Sequence, residues 1–227
     1  MTNTKKIDIK KLTVLAMFVA MAYLCLYVFR FKVQFLSLEI KDVFITMSGF
    51  IFGPLTAVGV AFVESLLEMI TVSDTGPYGA IMNFAGSATF AGIASLVYKY
   101  KKNLCGAMIG LVSAVVLMTG VMIVLNILIT PLYMKDMKAP RDVVIGMIPT
   151  LLLPFNLVKG SLNSAFVFLL YKPLSEALKG MGMLPKTKDF KFDKKSVLVA
   201  VISAVVIVAI IICVIFLFKG NFEWIRK

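Results

Sequence analysis

The chain contains no histidine, only three cysteines and a single tryptophan. Cys25, Cys105 and Cys213 lie in or beside three separate apolar segments and form no CxxC pair. With no histidine to join them, they do not have the pattern of a zinc site, and their spacing does not indicate a disulfide framework. We interpret them as small apolar packing residues.

Signatures of catalysis and of nucleotide binding are also missing. The sequence has no HExxH, no GxSxG and no histidine to act as a general base, which argues against an enzyme. The Gly-rich stretch VSDTGPYGA, residues 72–80, lacks the GxxxxGK[ST] pattern of a phosphate-binding loop, and that pattern occurs nowhere else. The chain therefore has no means of hydrolysing ATP by itself.

Charged residues are scarce, at 16% of the chain, whereas 60% of the residues are hydrophobic and the mean hydropathy is +0.95. This composition is typical of an integral membrane protein. The 24 basic residues exceed the 12 acidic ones, but they stand mostly at the ends of apolar runs and are not interleaved with aromatic residues. We therefore interpret them as determinants of membrane topology and expect no nucleic-acid partner.

The apolar runs predict an all-α, polytopic membrane helix bundle. Six spans are expected at about 12–29, 43–52, 54–70, 80–98, 104–129 and 144–171, with Gly53-Pro54 separating a short second helix from the third. The first run imitates a secretory signal with an AxA site, but it is too long for one, so we take it as a membrane helix. The distribution of lysines favours a cytoplasmic N-terminus.

The chain divides into three parts by composition. Residues 1–185 form the predicted six-helix membrane domain, and residues 186–195 form a charged cytoplasmic linker. Residues 196–227 contain an extra, uniformly apolar transmembrane helix followed by a short tail, in which Trp224 suits an interfacial anchor.

Polar residues inside the sixth span are the first candidates for a site. Asn156, Lys159 and Asn163 stand at i, i+3 and i+7 and so share one helical face. A lysine at the centre of a bilayer costs about 2.5 to 3.5 kcal/mol, so Lys159 is expected to face the bundle interior or a cavity. The alternatives are that it reaches an interface or pairs structurally with Glu64 or Glu68.

Two further amides and a carboxylate pair lie in other spans. Asn126 in the fifth span and Asn83 in the fourth are buried amides, which in membranes commonly join helices. Glu64 and Glu68 stand at i and i+4 on the third span. A carboxylate pair of this kind suits a cation or proton path, although we favour a structural role.

Small residues form a stripe on the first span. Ala16 and Ala20 make a small-xxx-small face, which lets another helix approach closely. Such a face serves either internal packing or the docking of a partner membrane protein.

Four features of the chain resemble the S-components of energy-coupling factor vitamin transporters, most closely those of the riboflavin-specific type. They are FLSLEIKDVFITMSGFIFGPLTAVGVAFVESLLEMI at 35–70, GAIMNF at 79–84, the region of Asn126, and PFNLVKG at 154–160. Together with the six-span pattern, the resemblance covers roughly residues 10–180. The additional C-terminal helix is unusual for that family.

The resemblance implies a pocket for riboflavin near the outer side of the membrane, with no other cofactor, no metal and no catalytic residue. The implied substrate-binding residues are Asn126, Asn156, Lys159, Asn83, Gly79, Leu38, Glu39 and Lys41. Ala16 and Ala20 would dock a transmembrane coupling protein, which works with two ATPase subunits in a bacterial cell membrane. Gly79 is followed by alanine where the family often has glutamate, so that carboxylate contact would be missing.

Three alternatives remain open from the sequence. In the first, the ligand is another vitamin such as thiamin. In the second, it is FMN rather than riboflavin, because a lysine such as Lys159 can tolerate a phosphate. The third is a proton-coupled secondary transporter that uses Glu64 and Glu68.

Overall fold

The computed structural model describes residues 9–73, 75–133, 140–180, 182, 201–203, 205–209, 212 and 223–224. Within these residues the chain is almost entirely helical. The helices are α1 (Ile9–Val28), α2 (Asp42–Phe52), α3 (Pro54–Thr71), α4 (Gly76–Tyr100), α5 (Leu104–Tyr133), α6 (Pro140–Gly146) and α7 (Leu153–Gly180), and a π-helical turn (Ile148–Leu152) precedes α7.

Five of the described helical segments are long and apolar enough to cross a membrane. They are Ile9–Val28, Pro54–Thr71, Gly76–Tyr100, Leu104–Tyr133 and Ile148–Gly180, and the shorter apolar helix α2 is the sixth member of the bundle. The predicted bundle of long apolar helices and one short second helix is therefore confirmed. The sixth span begins with a π-helical turn, which the sequence did not predict.

The break between α2 and α3 follows from two residues. Gly53 has a φ of +106°, a conformation that side chains with a Cβ rarely adopt, and Pro54 fits the first turn of a helix, where no N–H donor is needed. As a result α2 is only 11 residues long, about 16 Å at helical rise. The chain then returns along α3 to the end of the bundle from which α2 started.

A small antiparallel sheet follows α1, where the sequence indicated only a loop. Strands β1 (Phe31–Val33) and β2 (Leu36–Leu38) pair with Phe31 opposite Leu38. Gln34 makes the tight turn with a φ of +56°. A two-residue strand β3 (Glu223–Trp224) pairs with the other edge of β1, with Trp224 opposite Phe31. We call the end of the bundle that carries this sheet the hairpin end.

Helix packing is closest between α4 and α5. A Cβ added at Gly110 of α5 would lie 2.7 Å from the carbonyl oxygen of Ala94 on α4, so the two backbones nearly touch. Many apolar side chains of α5, such as Val112 and Val116, are exposed on the outer surface of the bundle. This pattern suits a helix bundle whose outside meets lipid rather than water.

Part of the predicted C-terminal helix is described. Residues 201–203, 205–209 and 212 are helical, and Ile207 is buried in an apolar cluster with Val33, Leu38 and Leu162. This cluster joins the C-terminal segment to both the hairpin and α7. The predicted linker at 186–195 and the remainder of the predicted helix at 196–218 lie outside the described residues.

Candidate functional site

Charged side chains gather at the hairpin end, inside the bundle. The ends of α1, α3 and α5 and the beginnings of α2, α4 and α7 all meet there. Two basic side chains and four carboxylates are buried in this region, and the part-buried ammonium group of Lys159 joins them. They are Arg30, Lys41, Lys159, Glu39, Asp42, Glu64 and Glu68, which we call the buried charge cluster.

Lys41 is the centre of the buried charge cluster. It precedes α2 and is fully buried, and its ammonium group contacts carboxylates from two parts of the chain. The Nζ atom donates a short hydrogen bond to Glu68 Oε2, lies 2.9 Å from Glu64 Oε2 and 3.9 Å from Glu39 Oε1. Lys41 therefore joins the hairpin loop to α3.

Glu39 connects the same loop to α7. Lys159 Nζ donates a hydrogen bond of 2.8 Å to Glu39 Oε1, and it lies 3.4 Å from the main-chain oxygen of Ser37. Asn163, one turn further along α7, donates from Nδ2 to the main-chain oxygens of Glu39 and Lys159. The predicted common face of α7 is thus confirmed for Lys159 and Asn163, which hold the loop together.

Glu68 receives two further side-chain contacts. Asn83 Nδ2 of α4 donates to Glu68 Oε1 at 2.7 Å, and Arg30 Nη2 lies 3.9 Å from the same oxygen. Arg30 also donates to the main-chain oxygen of Val72 at 3.0 Å. The carboxylate therefore connects the end of α1 with α3 and α4.

The charges of the loop residues are fixed by their neighbours. Burial alone would raise the pKa of Glu39, but Lys159 and Lys41 outweigh it and hold the pKa at about 2. Burial would lower the pKa of Lys41, but Glu68, Glu39 and Glu64 raise it well above its usual value. Both groups therefore carry their full charge across the physiological pH range.

Several acceptors in the cluster have no hydrogen-bond partner. Glu39 Oε2, both oxygens of Glu64 and Asn163 Oδ1 are buried and accept no hydrogen bond, although Glu64 Oε2 is within ion-pair distance of Lys41. Buried acceptors left without donors are costly. The cluster therefore has unused capacity to accept hydrogen bonds.

The two predicted amides Asn126 and Asn156 are buried but make local bonds. Asn126 Nδ2 donates to the Met122 main chain, and its Oδ1 accepts from Thr130. Asn156 Nδ2 donates to the main-chain oxygen of Leu152, one turn earlier. Both lie in the half of their helical segment that is nearer to the hairpin end.

The other predicted residues take different positions. Leu38 is buried in the apolar cluster beneath the hairpin, and Gly79, in the first turn of α4, lies so close to Thr75 that a Cβ would meet its hydroxyl. Ala16 and Ala20 are exposed on the outward face of α1. They therefore do not serve the internal packing that was one interpretation of their stripe.

One alternative that the sequence left open for Lys159 differs from the structure. Lys159 pairs with Glu39 rather than with Glu64 or Glu68, because Lys41 from the loop occupies the space between those two carboxylates. Arg30 and Asp42 were missed as members of the cluster. Asp42 accepts a short hydrogen bond from Ser87 of α4, a contact between residues 45 positions apart that no sequence pattern indicates.

Comparison with known proteins identifies the family of this chain. Residues 10–175 match the family model described as "ECF transporter, substrate-specific component". The chain belongs to this family of ECF transporter S-components. The S-component is 31% identical over 180 residues to the riboflavin transporter RibU of Staphylococcus aureus (strain TCH60), covering 75% of this chain and 93% of that protein.

Further relatives agree with this assignment. The S-component is 32% identical over 191 residues to the riboflavin transporter RibU of Streptococcus thermophilus, covering 78% of this chain and 86% of that protein. The riboflavin transporter FmnP of Bacillus subtilis is 26% identical, over 74% of this chain and 95% of its own length.

A solved structure of the S component of a bacterial ECF transporter also superposes on this chain. It gives a TM-score of 0.64 at 30% identity and covers 76% of this chain and 99% of that one. The S-component is thus a multi-pass membrane protein and a transporter subunit, not an enzyme. Among the described residues, no group of histidine, cysteine or acidic side chains is arranged to hold a metal ion.

Proposed function

We propose that this S-component captures riboflavin in a pocket at the hairpin end of the bundle. The observation that carries the proposal is the inward-facing polar surface of α7, where Asn156 is buried and Lys159 contacts the hairpin loop. Its relatives in Staphylococcus, Streptococcus and Bacillus are named riboflavin transporters. This naming supports riboflavin over thiamin as the ligand.

The chemistry of these residues suits a flavin. An amide such as Asn156 or Asn126 offers a donor and an acceptor side by side, which matches the pyrimidine edge of the flavin ring. Lys159 has three N–H donors, and the structure directs one to Glu39 and a longer contact to Ser37. A donor therefore remains for a carbonyl or hydroxyl oxygen of the ligand.

We assign import to a complex rather than to this subunit alone. The chain has no phosphate-binding motif, so ATP must be hydrolysed by separate ATPase subunits that act through a transmembrane coupling protein. The lysine distribution favours a cytoplasmic N-terminus, and with that orientation the hairpin end, and so the proposed pocket, faces the outer side of a bacterial cell membrane. Glu64 and Glu68 are counterions of Lys41 in this proposal and not a proton path.

The outward face of α1 is the proposed contact with the coupling protein. Ala16 and Ala20 are exposed there, whereas the described C-terminal helical residues Ile202, Ser203 and Val206 line a cavity together with residues of α5 and α7. Replacing both alanines with leucine is expected to leave riboflavin binding unchanged and to abolish copurification with the coupling protein. Retained copurification in Ala16→Leu/Ala20→Leu would exclude this face as the contact.

The function is tested by titration of the purified protein in detergent. After removal of any bound flavin, we expect the protein to bind riboflavin tightly and at a 1:1 ratio, which quenches the fluorescence of riboflavin. Thiamin should neither bind nor compete with riboflavin. The flavin's own fluorescence is the signal. Binding of thiamin but not riboflavin would show that riboflavin is the wrong substrate. Proton-driven uptake by the chain alone in liposomes would overturn the proposal that import needs separate ATPase subunits.

A further inference from the structure

The electrical balance of the buried charge cluster bears on which flavin it accepts. The described residues place four carboxylates, from Glu39, Asp42, Glu64 and Glu68, around the three cations Arg30, Lys41 and Lys159. Each cation already faces at least one of these carboxylates. The cluster therefore offers no excess positive charge to a ligand.

Lys159 illustrates this balance at the position where the ligand is proposed to bind. Its ammonium group is 2.8 Å from Glu39 Oε1, a charge-assisted hydrogen bond. Glu39 is 1% exposed, and its carboxylate is paired with Lys159, so turning it towards water would break this ion pair between the loop and α7. An anionic ligand would have to approach Lys159 beside this fixed negative charge.

Two unpartnered acceptors next to Lys159 also favour an uncharged ligand. Glu39 Oε2 and Asn163 Oδ1 are buried without a donor. A ribityl chain carries several hydroxyl groups that donate hydrogen bonds, whereas a phosphate group carries about 1.5 to 2 negative charges at neutral pH and mainly accepts. These acceptors would be satisfied by hydroxyl groups and would repel phosphate oxygens.

We propose that Glu39 determines specificity in this S-component by favouring uncharged riboflavin over phosphorylated flavins such as FMN. The inference rests on the proposed function, because it assumes that Lys159 contacts the flavin. The charge of Glu39 repels a phosphate group that approaches Lys159, and its unpartnered oxygen accepts a hydrogen bond from a hydroxyl group of the ligand. Lys159 then donates only to uncharged oxygen atoms of the ligand. In this proposal, the FMN alternative that the sequence left open is disfavoured by the carboxylate next to Lys159.

The test compares riboflavin and FMN on the same proteins by quenching of flavin fluorescence. We expect the unmodified protein to bind riboflavin at least about tenfold more tightly than FMN. Glu39→Gln keeps the shape of the side chain but removes the charge, and it is expected to reduce that ratio by about tenfold, chiefly through tighter binding of FMN. Glu39→Ala removes the same charge and gives a second, independent variant, and Glu39→Asp is expected to retain the preference.

The matched control is Glu176→Gln. Glu176 lies on the same helix as Lys159 but 17 residues further on, about 25 Å at helical rise, so the ratio should not change. Two results would overturn this inference alone. One is an unchanged ratio of riboflavin to FMN affinity in both Glu39→Gln and Glu39→Ala, and the other is a loss of affinity for both ligands by the same factor. Either result would show that Glu39 is only a structural counterion. Failure of the unmodified protein to bind riboflavin would instead overturn the proposed function, and this inference with it.

Discussion

Replacing Lys41 with methionine is expected to destabilise the S-component by about 3 to 5 kcal/mol, the usual result of removing one partner from a buried ion pair. Among the residues that the structure describes, the fully buried ammonium group is the one cation within 4 Å of Glu64, and it is one of two cations within 4 Å of Glu68. Methionine fills a similar volume but offers no charge. Glu64 would then be a buried carboxylate without a counterion among the described residues.

Thermal unfolding in detergent measures this effect. For a chain of this size we expect the Tm of Lys41→Met to fall by about 6 to 20 °C. Lys102→Met is the matched control, because Lys102 is exposed between α4 and α5 and its replacement should change stability by no more than about 0.5 kcal/mol. Equal Tm values for the two variants would refute the central role of Lys41.

A second substitution separates lost charge from lost packing. Adding Glu64→Gln to Lys41→Met removes the carboxylate that the first change leaves unpaired, so it should restore part of the lost stability. Glu68 needs less compensation, because it keeps the hydrogen bond from Asn83 and the nearby Arg30. If the double variant were no more stable than Lys41→Met, the packing of the lysine stem would be the main contribution.

The helical part of this fold could be predicted from the sequence because its signals are local. Apolar runs of about 20 residues mark α1, α3, α4 and α5, and Gly53-Pro54 marks the break after the short α2. The hairpin at 31–38 was missed because its strands have three residues each, too few to establish an alternating pattern. Its turn also uses Gln34 with a positive φ, where Gly or Asn is the usual sequence signal.

The candidate site was predictable only within single helices. The spacing of Lys159 and Asn163 placed both on one inward face, as the structure confirms. The pairing of Lys159 with Glu39 joins residues 120 positions apart, and two other carboxylates were equally plausible partners from the sequence. Which charges meet depends on how the loop after the hairpin enters the bundle, and that is a property of the assembled fold.

The substitution Asn156→Leu is expected to weaken riboflavin binding by about 5- to 150-fold while leaving the fold intact. Its amide is 2% exposed, and the hydrogen bond that it donates in the structure runs to Leu152 within the same helical segment, so the replacement breaks no described bond between helices. An amide offers the ligand a donor and an acceptor, and losing two neutral hydrogen bonds of about 0.5 to 1.5 kcal/mol each gives this range, whereas a hydrogen bond to a charged group contributes about 1.5 to 3 kcal/mol. Lys159→Met should weaken binding at least as much.

Stability distinguishes these two variants from Lys41→Met. Lys159→Met leaves Glu39 with Lys41 at 3.9 Å, so its Tm should fall less than that of Lys41→Met, and Asn156→Leu should unfold close to the unmodified protein. Leu157→Met changes the exposed neighbour of Asn156 and is expected to preserve both binding and Tm. Unchanged riboflavin affinity in Asn156→Leu and Lys159→Met would place the pocket elsewhere in the bundle, because an amide and an ammonium group that touch the ligand cannot both be removed without a measurable loss of affinity.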